Sequence, residues 1–376
     1  MEKPSVLGII SYKVFPAQMG GQKCASQFYA HLARYTKVVL AVSKDNTAVD
    51  ETVKNIHPIL YHHRWGFANL LRVFRLRKLI KQENIDVVCI DHSYLGWLGV
   101  VLRWLTKKPF VIHSHNIEAH RFRDMHKSLW RVYMVYEKWA HRKADHSFFI
   151  TEEDRQWAIG HYELEAGRSS VVTCGTTISE AIAQNERLGF RNQLIAEHHL
   201  RNDTRLFLFN GTLDYLPNTD ALRIIVTELL GLLQAMRFPF RIFVCGNKLS
   251  GKWQRVLAGY PEIIYKGFVN DIGMYCKGTD CMINPVTLGS GIKTKLVESL
   301  AYNQPCISTE SGAKGIPVET AGPNLVVVPD YDWPAFANSM RVKSMMVVQA
   351  DTLPAFYQMF SWDAIVQKAL LSLQTL

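Results

Sequence analysis

The stretch CMINPVTLGSGIKTKLVESLAYNQPCIST, residues 281–309, reads as strand, turn, helix and strand. Met282–Ile283 is a short apolar run and Cys306–Ser308 is another. Between them, Thr294–Tyr302 has apolar residues at helical spacing. Gly289 and Gly291 mark the turn, where a backbone without Cβ bends sharply and comes close to a ligand. Short apolar strands separated by a helix run parallel, and their sheet is covered on both faces.

The same alternation extends in both directions. Toward the N-terminus, the strand candidates are Val6–Ile10, Val38–Val42, Val87–Ile90, Phe110–His113, Ser147–Ile150 and Val171–Thr173. Cys24, Phe28, Leu32 and Tyr35 share one helical face after the loop with Pro16, Gly20 and Gly21. Residues 178–203 are polar and helical in character and form a connection. The pattern restarts with Leu206–Phe209, Ile242–Val244 and Ile263–Tyr265, with a helix over Thr219–Leu233. It ends with Leu325–Val328 and an apolar-periodic helix, Trp362–Leu373. The expected fold class is α/β: two Rossmann-like, doubly wound domains whose strand ends face across a cleft. The expected divisions are 1–180, 195–358 and a C-terminal helix in 359–376 that packs back on the first domain.

A chain of 376 residues suits two such cores. With 48% apolar and 20% charged residues, it has the composition of a globular protein, not a disordered one. No apolar run reaches the roughly 20 residues that a membrane span needs. The N-terminus lacks a secretory leader pattern. Seven cysteines without a C-x-x-C pair predict reduced thiols, neither a disulfide framework nor a zinc cage.

The net charge of +10 is unevenly placed. Residues 1–150 hold 23 Lys and Arg against 11 Asp and Glu; residues 151–376 hold 20 against 22. An excess confined to one domain points to an anionic partner. Arg64–Lys81 interleaves Trp65, Phe67 and Phe74 with basic residues, as a surface for anionic membrane would. An ordinary helix of the first domain explains the same residues. No helix-turn-helix, zinc-finger or RNA-binding signature accompanies the charge, so no nucleic acid partner is expected.

The turn at 289–298 has the chemistry of a phosphate site. A helix start offers free N–H groups and the positive end of its dipole, and Lys293 and Lys295 add charge there. Glu298, one turn on, is placed to accept hydrogen bonds from ribose hydroxyls. A solvated Gly-Lys turn is the plainer alternative.

This stretch resembles the C-terminal motif of the family 4 glycosyltransferases, retaining enzymes of the GT-B fold. Glu298 matches the second of that family's two motif glutamates, and Ser290 stands at the first. The resemblance implies donor contacts from Ser290, Gly291, Ile292 and Thr294. It extends to the segment Phe15–Gly21, which is similar to the family's first glycine loop, with Gly20 and Gly21 near the donor diphosphate. It also covers Asn210-Gly211-Thr212 with Pro217-Asn218, where many members carry Arg and Lys. Lys293 and Lys295 are the expected replacements. Gly267-Phe268-Val269 with Asp271 is similar to the base-contacting loop.

In the segment His113–Glu118, His115 matches a histidine near the donor sugar. A structural histidine and a metal ligand are the competing readings, although no metal spacing is present. Glu118 is left open between capping the next helix and meeting the acceptor, and Arg121 and Arg123 between an anionic acceptor and a solvated face. The resemblance therefore implies a retaining hexosyltransferase with His115, Lys293 and Lys295 as catalytic residues and no cofactor or metal. The donor would be a UDP- or GDP-linked sugar. The acceptor would be a glycan, glycolipid or polysaccharide precursor of the cell envelope. The implied location is cytoplasmic, with peripheral membrane contact open. A catalytically inactive nucleotide-binding scaffold is the alternative.

Overall fold

The computed structural model describes residues 3–17, 19–46, 53, 55–346 and 351–376, and the side chains of residues 63 and 64 are outside the description. Gln18 of the first glycine loop, and the side chain of Arg64, therefore lie outside the described residues.

The chain forms two compact units. Unit 1 runs to Gly175 and adds Ser290–Ile292 and Phe360–Leu376. Unit 2 is Thr176–Gly289 with Lys293–Met359.

Unit 1 is built on seven strands: β1 (Val6–Ile10), β2 (Val38–Ser43), β3 (Ile56–Leu60), β4 (Val87–Asp91), β5 (Phe110–Ser114), β6 (His146–Phe149) and β7 (Ser169–Val171). They pair in the order β3-β2-β1-β4-β5-β6-β7, every pair parallel. Every residue of β1, β2, β4, β5 and β6 is buried. That is why these strands read as continuous apolar runs.

The edge strands depart from the sequence reading. β3 escapes it because Pro58 and half-exposed neighbours break the apolar run, and proline is confined to such edges. β7 lies at Ser169–Val171, two residues before the expected Val171–Thr173. The helix Trp362–Leu373 packs on the helix Gly20–Leu32. There His31 stacks on Trp362 with centroids 5.8 Å apart.

Unit 2 repeats the plan with β8 (Arg205–Asn210), β9 (Phe240–Cys245), β10 (Ile263–Gly267), β11 (Cys281–Asn284), β12 (Cys306–Thr309) and β13 (Leu325–Val328). Their order is β10-β9-β8-β11-β12-β13, again wholly parallel. The expected helix over Thr219–Leu233 spans Leu216–Ala235, with a π-turn at Ile225–Leu229 inside it. The connection predicted at 178–203 contains the helix Gln184–Glu197. Arg187 anchors it by donating to the carbonyls of Lys277, Thr279 and Asn303.

In each sheet the strand order reverses beside the first strand, between β1 and β4 and between β8 and β11. Open α/β sheets bind ligands at the carboxyl ends of strands flanking that reversal. No helix among the described residues is long and apolar enough to cross a membrane.

One sequence expectation fails in unit 1. Cys24, on the first helix, is disulfide-bonded to Cys174, which follows β7. Their separation of 150 residues hides the pairing from sequence reading. The other five cysteines are free and buried.

Candidate active site

In unit 2, three predicted positions meet where β8 leaves the sheet. Asn218 donates through Nδ2 to the carbonyl of Thr212 at 3.0 Å. Lys295 donates to Asn218 Oδ1, also at 3.0 Å, and its ammonium lies 4.5 Å from the Phe209 ring centre. Lys295 thus stands where the loop lacks a basic residue of its own. Burial, then repulsion by Lys293, pushes its pKa down to about 7.

Lys293 is the N-cap residue of the helix Thr294–Ala301 and donates to the carbonyl of Gly289 at 2.9 Å. Gly289 has φ +82°, and a Cβ there would lie 3.2 Å from Pro217 Cγ. The turn and the Asn210–Asn218 loop therefore pack closely. Gly246, unnoticed in the sequence, seals the same corner: a Cβ on it would be 1.9 Å from the Gly211 carbonyl oxygen. Sequence offers no signal for this beyond a glycine directly after a strand.

Glu298 is half-buried in the second turn of that helix. Burial and then the charge of Glu298 push the Tyr302 hydroxyl up to about 12. Phe268 is 70% exposed, whereas Val269 packs against the core of unit 2. Ser290, Gly291 and Ile292 group with unit 1, and Thr294 with unit 2.

In unit 1, Gly20 and Gly21 open the helix Gly20–Leu32. The loop before it is fixed from β2, since Asn46 Oδ1 accepts from the backbone of Val14 and Phe15 at 2.7 and 2.9 Å. Next to it lies a buried polar cluster that sequence reading found only in part. His115 Nε2 is 3.1 Å from Asp91 Oδ1. The Tyr12 hydroxyl donates to the same oxygen at 2.8 Å. His92 Nδ1 is 3.1 Å from Glu118 Oε1, and Arg121 donates to Glu118 Oε2 at 2.7 Å. The rings of His92 and His115 are 4.5 Å apart, and those of His113 and His115 4.7 Å.

The electrostatics follow from this packing. Burial raises the carboxyl of Asp91, but His115, His92 and His113 outweigh it and hold it below the usual range. Burial likewise raises Glu118, and His92 and Arg121 bring it below that range. His113 is pushed down to about 3, first by burial and then by His115.

Glu118 is the first residue of the helix Glu118–Asp124, not its cap. Glu137 caps it instead from a neighbouring helix, accepting from the backbone of Glu118 and Ala119 at 3.1 and 3.0 Å. Ser93 and Tyr162 also donate to Glu137. Burial and then Glu118 raise its carboxyl to about 7. Arg123 is exposed beside Asp124.

His92 has φ 62°, ψ 153°, a conformation nearly exclusive to glycine and costing about 1–3 kcal/mol. Its amide donates to the His113 carbonyl at 2.9 Å, which pins it there. Asp91, His113 and His115 also bring ligand atoms within 4.8 Å of one another, a metal-type grouping that spacing alone did not reveal.

Residues 19–180 match the model of Glycosyltransferase Family 4, and residues 204–342 that of Glycosyl transferases group 1. The chain belongs to the family 4 glycosyltransferases. The enzyme is similar to UDP-Gal:alpha-D-GlcNAc-diphosphoundecaprenol alpha-1,3-galactosyltransferase of Escherichia coli. They are 21% identical over 81% of this chain and 79% of the relative. Among solved structures, it resembles sucrose-phosphate synthase from Thermosynechococcus elongatus, with TM-score 0.74, 17% identity and 99% of each chain covered. It also resembles Anabaena HepE in complex with UDP and glucose, with TM-score 0.72, 15% identity and coverage of 99% of this chain and 100% of that one. These likenesses establish the GT-B fold for this glycosyltransferase.

Proposed function

We propose that this glycosyltransferase moves a hexosyl unit from a UDP-sugar to a hydroxyl of a lipid-linked glycan, with retention of configuration. The observation that carries this reading is the convergence of Lys295, Asn218 and the Gly289–Lys293 turn at one helix start. Positive charge beside free N–H groups stabilises a departing diphosphate electrostatically, and that step requires no metal. Lys293 and Lys295 serve this role, and Glu298 takes the ribose. Ser290, Gly291, Ile292 and Thr294 line the turn, while Phe268 and Val269 meet the base. Gly211 and Thr212 border the diphosphate, and the helix start at Gly20 and Gly21 offers N–H groups of the same kind. In unit 1, His115 with Asp91 belongs to the machinery that handles sugar and acceptor.

UDP is favoured over GDP because one structural neighbour was solved with UDP and the curated relative uses UDP-Gal. That relative's name gives a GlcNAc-diphosphoundecaprenol acceptor, which supports a lipid-linked acceptor here. The basic face of unit 1 supports docking at the inner membrane surface. Between residues 64 and 143 there are sixteen Lys and Arg against six Asp and Glu. Three of those acids, Asp91, Glu118 and Glu137, are buried. The outer surface is therefore more one-sided than the sequence count.

Calorimetric titration with UDP, GDP, ADP and TDP tests the donor site, with Glu298→Ala alongside. The expected result is UDP binding that the variant loses. Failure of all four nucleotides to bind would overturn the reading and leave an inactive scaffold.

A further inference from the structure

The sequence singles out His115 at this site, but burial singles out its neighbour. The side chains of Asp91 and Glu118 have no exposed surface, and His115 exposes 4%. His92 exposes 13%. It directly follows β4, beside the strand reversal, and faces Tyr12 from the β1 loop edge-on at 5.1 Å. Of the two histidines, His92 is the one a ligand at the unit 1 crevice would reach first.

We propose that His92 is the imidazole that meets a sugar hydroxyl of the bound substrate, with His115, Asp91 and Glu118 as its positioning residues. The proposal rests on the glycosyltransferase reading of this site. The two ring nitrogens have different surroundings. Nδ1 is buried, 3.1 Å from Glu118 Oε1, so it is not the nitrogen that a ligand meets. Nε2 has Asp91 only at 3.9 Å, beyond hydrogen-bond reach, and is left to accept a hydroxyl proton. The rings of His115 and Tyr94 pack against it at 4.5 and 5.4 Å, tilted by 32° and 33°, so the ring has little freedom to turn. The backbone strain has a use in this arrangement, because an ordinary φ at this position would aim the ring elsewhere. The hydroxyl belongs either to the donor sugar or to the acceptor sugar.

His92→Gly removes the ring at a backbone position that glycine adopts freely, so this variant is expected to fold with a Tm at or above the wild-type value. UDP affinity by calorimetry should stay within about twofold, because UDP lacks the hexosyl group that the ring would meet. If the hydroxyl is the donor's, affinity for UDP-galactose or UDP-glucose falls at least about tenfold toward that of UDP. If it is the acceptor's, UDP-sugar affinity holds, and transfer from UDP-galactose to a synthetic α-GlcNAc diphospholipid falls about a hundredfold. Unchanged values in both arms, with His115→Ala inactive, overturn the proposal.

Carbethoxylation of the wild-type protein, mapped by mass spectrometry, is independent of nucleotide binding. His92 should react well before His115, and the reverse order overturns the assignment. A wild-type protein that binds no nucleotide brings down the donor-site reading alone, and the modification order still decides which imidazole faces outward.

Discussion

The ammonium of Lys295 and the side-chain carbonyl of Asn218 meet at 3.0 Å, joining the first turns of two helices. The lysine is pushed down to about 7 by burial and by Lys293. Below that pH it is an ammonium, and above it increasingly neutral. Affinity for UDP should therefore fall as pH rises from 6 to 9, by about tenfold per unit at the steepest. Lys295→Arg keeps its charge and should flatten the profile. Calorimetry across that range is the check, and a wild-type profile as flat as the arginine variant's would count against the role.

Glu137 predicts a second pH dependence, in stability. Its carboxyl is raised to about 7 by burial and Glu118. Below the ordinary glutamate range, both folded and unfolded states hold the proton. Between that range and about 7, unfolding releases it, so stability falls as pH rises. Urea unfolding at pH 5, 6, 7 and 8 should show this slope, and Glu137→Gln should lose it. The variant also pays for one poorly matched backbone N–H, so its stability at pH 5 should be lower by about 1 kcal/mol.

The Cys24–Cys174 bond closes a loop of most of unit 1. Its removal by Cys174→Ser should cost about 2–4 kcal/mol. Thiol titration of the unfolded, unreduced protein should count five free groups, matching the five free cysteines. A count of seven would show that the bond does not form in the preparation.

Trp65, Phe67 and Phe74 are 72%, 85% and 73% exposed on unit 1, among basic residues. The protein should float with phosphatidylglycerol vesicles and not with phosphatidylcholine ones. Replacing the three aromatics by serine should reduce flotation severalfold, and raised salt should release the remainder. Equal flotation with both lipids would contradict the charge argument.

Much of the scaffold was legible because parallel strands buried on both faces are plain apolar runs. Val6–Ile10 and Leu325–Val328 were read residue for residue. β3 was not, since an edge strand with Pro58 and half-exposed neighbours has no such run. The turn at 289–298 was visible because its glycines, lysines and glutamate lie within a single βαβ stretch of sequence. The cluster in unit 1 was visible only through His115 and Glu118. Its members, Tyr12, Asp91, His92, His115, Glu118 and Glu137, come from separate loops, strands and helices, and only the sheet order brings them together. Asp91 and His92 follow the apolar run Val87–Ile90 with no pattern that marks them. Glu137 carries no local sign that it caps another helix.

The docking of the helix Trp362–Leu373 on the helix Gly20–Leu32 bears on synthesis. During translation, the strands of unit 1 emerge first, but the helix that covers Gly20–Leu32 emerges only after all of unit 2. At about 5–20 residues per second, the stretch from Leu32 to Leu373 leaves that surface uncovered for roughly seventeen to seventy seconds. The first half of the chain thus waits for that helix, and a nascent chain stalled before Trp362 should expose the surface around His31 to chaperones even when unit 2 is complete.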